Sequence, residues 1–309
     1  MAATLEEMGV RVIRAQEPNP QRPQRDDWHW DNIVEAARIA DLFLWTQTWN
    51  ADPEGGYRAL DALLDAGVPS ASFHLDLYWG LDRQAQIMEY PFWRTDYVFT
   101  ADGGHDDGFA RNGINHHWMP PAIYGPDARR GTPRDDYRWP IIFVGSFPYP
   151  HPEHAAARRE IVMHMQSRFG TRFRMYRHGV RGDDLADLYA SCRVVVGDSC
   201  LAGRSPRYWS DRIPETLGRG AFLIHPHIEG IEDHFVDGEH LRTYEPGNMG
   251  QLITLAEHYV GQPDEAAAIG AAGQAHVQAH HTYRNRMVDV LATVGCSGFA
   301  TTDEEPKSA

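Results

Sequence analysis

Three arginines, Arg204, Arg207 and Arg212, fall within nine residues in the run SCLAGRSPRYWSDR. Such a set can neutralise the two charges of a diphosphate, and fixed positive charge is what an anionic leaving group requires. A solvated charged loop would read the same way. Tyr208 and Trp209 add a surface for stacking or packing. Ser210 or Asp211 can cap a helix, Pro214 is tolerated only in its first turn, and Gly218 and Gly220 end it. Glu215 lies in that first turn. The helix dipole favours a carboxylate there, and the same carboxylate could accept two ribose hydroxyls.

Other candidates sit where strands should end. Gly145-Ser146 follows the apolar run PIIFV, and a glycine there lets backbone amides approach a phosphate. Tyr176 and His178 end the run FRMYRHG, a position for a base or ribose contact or for a plain solvated strand end. His74 and Asp76, in SFHLD, are two apart and share a face if the strand runs through both. Either could take a proton from a hydroxyl, the histidine because it titrates near neutrality. Asp102 is a secondary candidate. His225, His227 and Glu229 raise the question of a metal, but no third well-spaced ligand accompanies the histidines. Ser199-Cys200 lacks the G-x-S-x-G elbow of a hydrolase, and no G-x-G-x-x-G marks a nicotinamide site.

These residues must be held by strands and helices that alternate. VRVIRA at 10–15 reads as a first strand and the proline-rich stretch after it as a loop. A helix over 32–40, strands within 41–49, 68–76 and 96–102, and helices over 55–67 and 82–92 follow. Proline, glycine and charge then dominate 124–139, the expected domain boundary. A second alternating series runs from PIIFV through a long helix, FRMYRHG, DDLADLYASC, RVVVGDS, the 212–219 helix and AFLIHP. Closing helices are expected over 248–260, 263–272 and 283–293, with a polar, disordered tail from Ser297. The pattern is α/β: two mostly parallel sheets covered on both faces, with ligands outside the carboxyl ends of the strands.

Composition narrows the class. The 309 residues carry a formal net charge of −14, and Lys307 is the one lysine, so the positive charge is almost all arginine. That balance disfavours indiscriminate DNA binding. No stretch approaches the roughly 18 to 20 apolar residues of a membrane span, and MAATLEEMGV lacks the features of a secretory signal. Cys192, Cys200 and Cys296 are scattered without a CxxC pair, so reduced thiols and a cytoplasmic setting are expected.

Arg212 and Glu215, the GRGAFLIHP run, the GIEDHFVDGEHLRTYEP run and HTYRNR at 281–286 together resemble the C-terminal domain of CgeB-type, spore-maturation-protein-like glycosyltransferases. The resemblance covers roughly residues 139 to 293. It implies a glycosyltransferase B (GT-B) fold of two Rossmann-like α/β domains facing across a cleft. Residues 1–125 would be the acceptor-side domain, 139–293 the nucleotide-sugar domain and 294–309 a tail. It implies a nucleotide-diphosphate sugar as donor substrate, no metal and no other cofactor. Carried onto this sequence, Glu215 would hold the donor ribose, and Arg212, with Arg207, the diphosphate. Tyr176 and His178 would line the nucleoside. His74 or Asp76 would assist deprotonation of an acceptor hydroxyl. A glycan, a metabolite, a protein or a modified DNA base could be that acceptor, the last disfavoured by charge. The rival reading is a non-catalytic nucleotide-sugar or glycan-binding module on the same fold.

Overall fold

Short buried runs rich in Val, Ile and Phe build two parallel sheets, one in each half of the chain. The structure is a computed structural model and describes residues 1–16, 29–46, 52–148, 152–177, 179–199 and 206–296. Arg204, His178, Cys200, most of the proline-rich stretch after residue 16, and the tail from Ser297 lie outside the described residues. The chain divides into two compact units, Met1–Pro120 with the residues from Arg284 onward, and Pro121–Tyr283. No helix among the described residues is long and apolar enough to cross a membrane.

The first unit holds β1 (Phe43–Thr46), β2 (Ser70–His74), β3 (Tyr97–Thr100) and β4 (His116–Trp118), in that order and all parallel. Every residue of β2 is buried, as befits an inner strand covered on both faces. The Pro53–Asp65 helix starts where the sequence grammar requires: Asp52 accepts from the Gly55 amide at 3.0 Å and Pro53 fills the first turn. Trp30, Trp45, Phe92, Trp93 and Phe109 fill the core beside it. VRVIRA is not a strand. Arg14 reaches back to Glu6 of the Ala2–Glu7 helix, Ile13 stays 40% exposed, and the segment has no regular structure. Its alternation of apolar and arginine residues has no sheet face to bury against.

The second unit holds β5 (Ile141–Val144), β6 (Phe173–Tyr176), β7 (Val194–Val196), β8 (Leu223–Pro226) and β9 (Arg242–Tyr244). All pairs are parallel, in the order β6-β5-β7-β8-β9. The chain leaves β5 toward one side and returns to its other side at β7. The carboxyl ends of β5 and β7 are therefore the topological switch point, where open α/β sheets place ligands. β9 escaped the sequence reading because three residues with one buried position carry no periodic signal. The 124–139 stretch is not a free linker either. Thr132 N–H donates to Asp187 at 2.8 Å and Arg134 pairs with Asp184, which fastens it along the Gly182–Ser191 helix of the second unit.

Of the closing helices, two have the expected extent and the middle one is longer. Pro263–His280 continues straight through Gly270 and Gly273. Both glycines are needed for packing: a Cβ would stand 2.8 Å from the Gly220 carbonyl oxygen at position 270 and 2.5 Å from that of His240 at position 273. The last helix, Tyr283–Thr293, belongs with the first unit from Arg284 onward; its buried Arg286 donates to the Pro120 carbonyl at 2.9 Å. Gly273→Ala should therefore lower stability by about 1–3 kcal/mol through overpacking, although alanine is the better helix former. Denaturant unfolding of the two proteins checks this, and an unchanged or raised midpoint contradicts it.

Candidate functional site

At the switch point of the second sheet, two arginines share one buried carboxylate. Asp198 follows β7 by two residues and is 1% exposed. Arg158 grips it bidentately, Nε to Oδ2 at 2.6 Å and Nη2 to Oδ1 at 3.1 Å. Arg212 donates through Nη1 to the Asp198 carbonyl at 2.7 Å and to its carboxylate. Burial pushes this carboxyl up, but the two guanidiniums outweigh it and hold Asp198 below the ordinary carboxylate range.

The same arginines tie down the loop after β5. Arg212 donates to the Val144 carbonyl through Nε at 3.3 Å and Nη2 at 3.0 Å, and Arg158 to the Ser146 carbonyl at 3.0 Å. Both guanidiniums lie over the Phe143 ring, at 5.0 Å for Arg212 and 5.6 Å for Arg158. Gly145 sits against them. A Cβ on it would meet Arg212 Nη2 at 2.7 Å and Phe143 at 3.1 Å, while its own N–H donates to the Tyr176 carbonyl at 2.9 Å. A guanidinium has five N–H groups, and Arg212 spends four on these partners. One Nη2 hydrogen, beside Gly145, has no partner among the described residues. The arrangement fixes positive charge under a glycine turn at the carboxyl end of a parallel sheet, which suits an anion.

Gly145, Ser146 and Arg212 are thus brought together. Arg158 and Asp198 were missed, although signals existed. Arg158 falls on the stripe of Ile161, Val162, Met165 and Phe169 that the Pro152–Phe169 helix buries, and Asp198 closes the buried run VVVGD. Arg212 is no free, solvent-facing cation: its side chain is 12% exposed and serves first as a strap between strand ends.

The remaining candidates are placed differently. Glu215, 30% exposed, pairs with Arg219 one turn on in the short Arg212–Gly218 helix. Burial pushes its carboxyl up, against the pull of Arg219. Arg207 is half-buried, pairs with Asp233 at 2.6 Å and adopts a left-handed backbone with φ of 59°. The Tyr176 ring packs edge-on against Tyr137 and Trp139, and burial pushes its hydroxyl up to about 12. His225 turns into the core, held neutral to about pH 4 by burial, whereas His227 faces outward beside Glu232. No three His, Cys, Asp or Glu among the described residues converge on a metal position.

In the first unit, β2 ends at His74, so alternation does not carry Asp76 to the same face. His74 is 2% exposed, stacked on Trp93 at 5.0 Å and 14°, with Phe92 4.4 Å away, and neither ring nitrogen has a partner among the described residues. Desolvation drops it to about 3. This is a packed core ring, not a base that a solvated hydroxyl can reach. Asp76 is exposed, with Arg83 at 3.7 Å. Asp102 is fully buried and accepts the Tyr78 and Trp79 amides at 2.9 Å each, so it fastens the loop after β2. Burial raises it to about 6.

Residues 140–292 match the family described as glycosyl transferase-like. The matched residues take in most of the second unit and include the switch-point arginines. No curated protein matches the sequence. Among solved structures, HepE of Anabaena in complex with UDP is similar at a TM-score of 0.60 and 13% identity, over 85% of this chain and 81% of that one. Sucrose-phosphate synthase of Thermosynechococcus elongatus is similar at 0.56 and 16%, over 94% and 84%. The UDP-forming α,α-trehalose-phosphate synthase of Burkholderia vietnamiensis reaches 0.60 at 10%, over 88% and 77%. These likenesses extend beyond the matched residues and give the chain the GT-B fold.

Two outcomes follow for the buried charges. Asp198→Ala leaves two guanidiniums against each other and should cost about 3–5 kcal/mol. Equilibrium unfolding measures it, and a loss below about 1 kcal/mol would show that the pair is solvated in practice. His74 has a folded pKa below its unfolded value near 6.5. The stability it contributes is full above that pH and drains as pH falls toward 3, by up to about 1.4 kcal/mol per unit. His74→Phe should remove that slope and unfold at lower pH than the parent, with acid titrations of both as the check.

Proposed function

We propose that this glycosyltransferase-like protein transfers a sugar from a nucleoside-diphosphate sugar to a hydroxyl acceptor. The observation that carries the reading is the pair of guanidiniums, Arg158 and Arg212, fixed by Asp198 beneath Gly145 at the switch point. In the transfer, the bond from the anomeric carbon to the diphosphate oxygen breaks, and its electron pair leaves with the diphosphate. The acceptor oxygen bonds to that carbon and gives up its proton. Charge therefore develops on the diphosphate, and preorganised cations lower the barrier only if they are already in place. Arg212 meets that condition because its geometry is fixed by Val144 and Asp198.

UDP is the first donor nucleotide to test, since HepE is solved with UDP and with UDP-glucose and the trehalose-phosphate synthase is described as UDP-forming. The transfer is read as metal-independent and free of any cofactor besides the donor, with arginine charge in the role a cation would otherwise fill. Glu215 is the proposed ribose partner, which requires exchange of its Arg219 contact. Asp76 is the proposed acceptor-side base, being exposed where His74 is sealed. The closer reading, a CgeB-like enzyme, is supported by Arg212, Glu215 and the HTYRNR motif, whose His281 and Tyr283 backbones bracket Ile123 at 3.1 and 2.8 Å. Unpaired Cys192 and Cys296 fit a cytoplasmic setting.

Titration calorimetry with UDP, GDP, ADP and TDP, each with and without EDTA, tests the reading. One diphosphate should bind with equal affinity in both conditions. Glu215→Ala should weaken it on the order of tenfold, the scale of one or two hydrogen bonds, with an unchanged circular dichroism spectrum. Absence of binding by any diphosphate would overturn the donor site, and full affinity in the variant would remove Glu215 from it.

A further inference from the structure

The stretch 161–182 carries five arginines and no acidic residue, in a chain whose net charge is −14. It spans the end of the Pro152–Phe169 helix and β6, the edge strand of the second sheet. Arg168 pairs with Glu257. Arg172, Arg174 and Arg177 are exposed, and none of them meets a carboxylate among the described residues. Each instead lies over an aromatic ring: Arg172 over Phe169 at 5.4 Å, Arg174 over Trp139 at 5.1 Å and Arg177 over Phe147 at 5.4 Å.

A groove of about 780 Å³ runs along this edge, lined by Trp139, Gln166, Arg174, Tyr176 and Arg177 among others. Phe173 and Met175 pack into the core with Met165 and Phe169, so alternation turns Arg174 and Tyr176 to the opposite face. There the Tyr176 ring stands edge-on to Tyr137 and Trp139, 6.1 Å from each, with its hydroxyl shielded and unpaired. The groove ends at Arg177, whose ring partner Phe147 belongs to the loop that begins with Gly145. It thus leads to the candidate donor site within the same unit.

We propose that this edge groove docks an anionic glycan, the uronate- or phosphate-bearing chain on which the acceptor hydroxyl is carried. Stacking on a ring holds a guanidinium in place while leaving its N–H edge open for a carboxylate or phosphate, so little side-chain freedom is lost on binding. The Tyr176 ring offers an apolar side of the kind sugar rings cover, while Tyr137 carries Arg134 over its ring at 4.8 Å. A single-stranded nucleic acid fits less well. It needs bare aromatic faces for its bases, and here Trp139, Phe147 and Phe169 are already covered by arginine. The identity of the glycan as acceptor rests on the glycosyltransferase reading; the binding of an anionic chain does not.

The test uses the full chain, Arg172→Gln/Arg174→Gln, Arg172→Lys/Arg174→Lys, and three probes: an octamer of galacturonic acid, a neutral maltooctaose and a dT12 oligonucleotide. The octagalacturonate should bind the parent, weaken as salt rises, and bind the glutamine variant at least tenfold less tightly. The lysine variant should fall between them, since it keeps charge without the fork. Diphosphate affinity should be equal in all three proteins, which separates this proposal from the donor site. Equal octagalacturonate affinity in parent and glutamine variant, no binding at all, or equal binding of maltooctaose would overturn it. Tighter binding of dT12 with the same variant sensitivity would overturn the glycan in favour of nucleic acid. A dimer in sedimentation that the glutamine pair dissolves would overturn it in favour of edge-to-edge pairing of β6.

Discussion

Asp198 between Arg158 and Arg212 is the contact on which the second unit's functional geometry depends. One carboxylate, buried at a strand end, draws a guanidinium from the long helix after β5 and another from the helix before β8. Each guanidinium then reaches a carbonyl of the β5 loop, at Ser146 and Val144. Four segments distant in sequence are held by seven hydrogen bonds around a single oxygen pair. Burying an ion pair is rarely a net gain in stability against an apolar replacement. What the ion pair provides is preorganisation: positive charge is held in place beside Gly145.

This arrangement was half legible in the sequence. Gly145, Ser146 and Arg212 could be named because glycine turns and arginines near a short helix have few common uses. Their joint placement could not, because it depends on a carboxylate two residues past a three-residue strand. Arg158 was hidden in a long helix with arginines on several faces, where only the phase of the apolar stripe distinguishes a buried guanidinium from solvated ones. The alternation of strands and helices was readable along nearly the whole second half, since its strands are runs of Val, Ile and Phe. It failed at Arg242–Tyr244, which is short and half polar.

In the first unit the sequence singled out the end of β2 for a mixed reason. His74 looked available because histidine titrates near neutrality, but Phe92 and Trp93 enclose it and forbid the charge. Asp102, ranked second, is the residue that shapes the loop carrying Tyr78 and Trp79. A carboxylate accepting two consecutive amides is an architectural part, and its elevated pKa comes from burial rather than from a task. Asp76, two residues on, stays exposed beside Arg83.

The return of the chain to the first unit at Arg284 has a consequence for biosynthesis. The second unit is continuous from Pro121 to Tyr283, so a nascent chain holds all of it before the last helix leaves the ribosome. The first unit, although it begins the chain, is complete only when Arg286 reaches the Pro120 carbonyl and Met287, Val290 and Leu291 are buried. N-terminal domains usually finish folding first. Here that order is reversed, and a ribosome that stalls late releases a finished second unit joined to an unfinished first one.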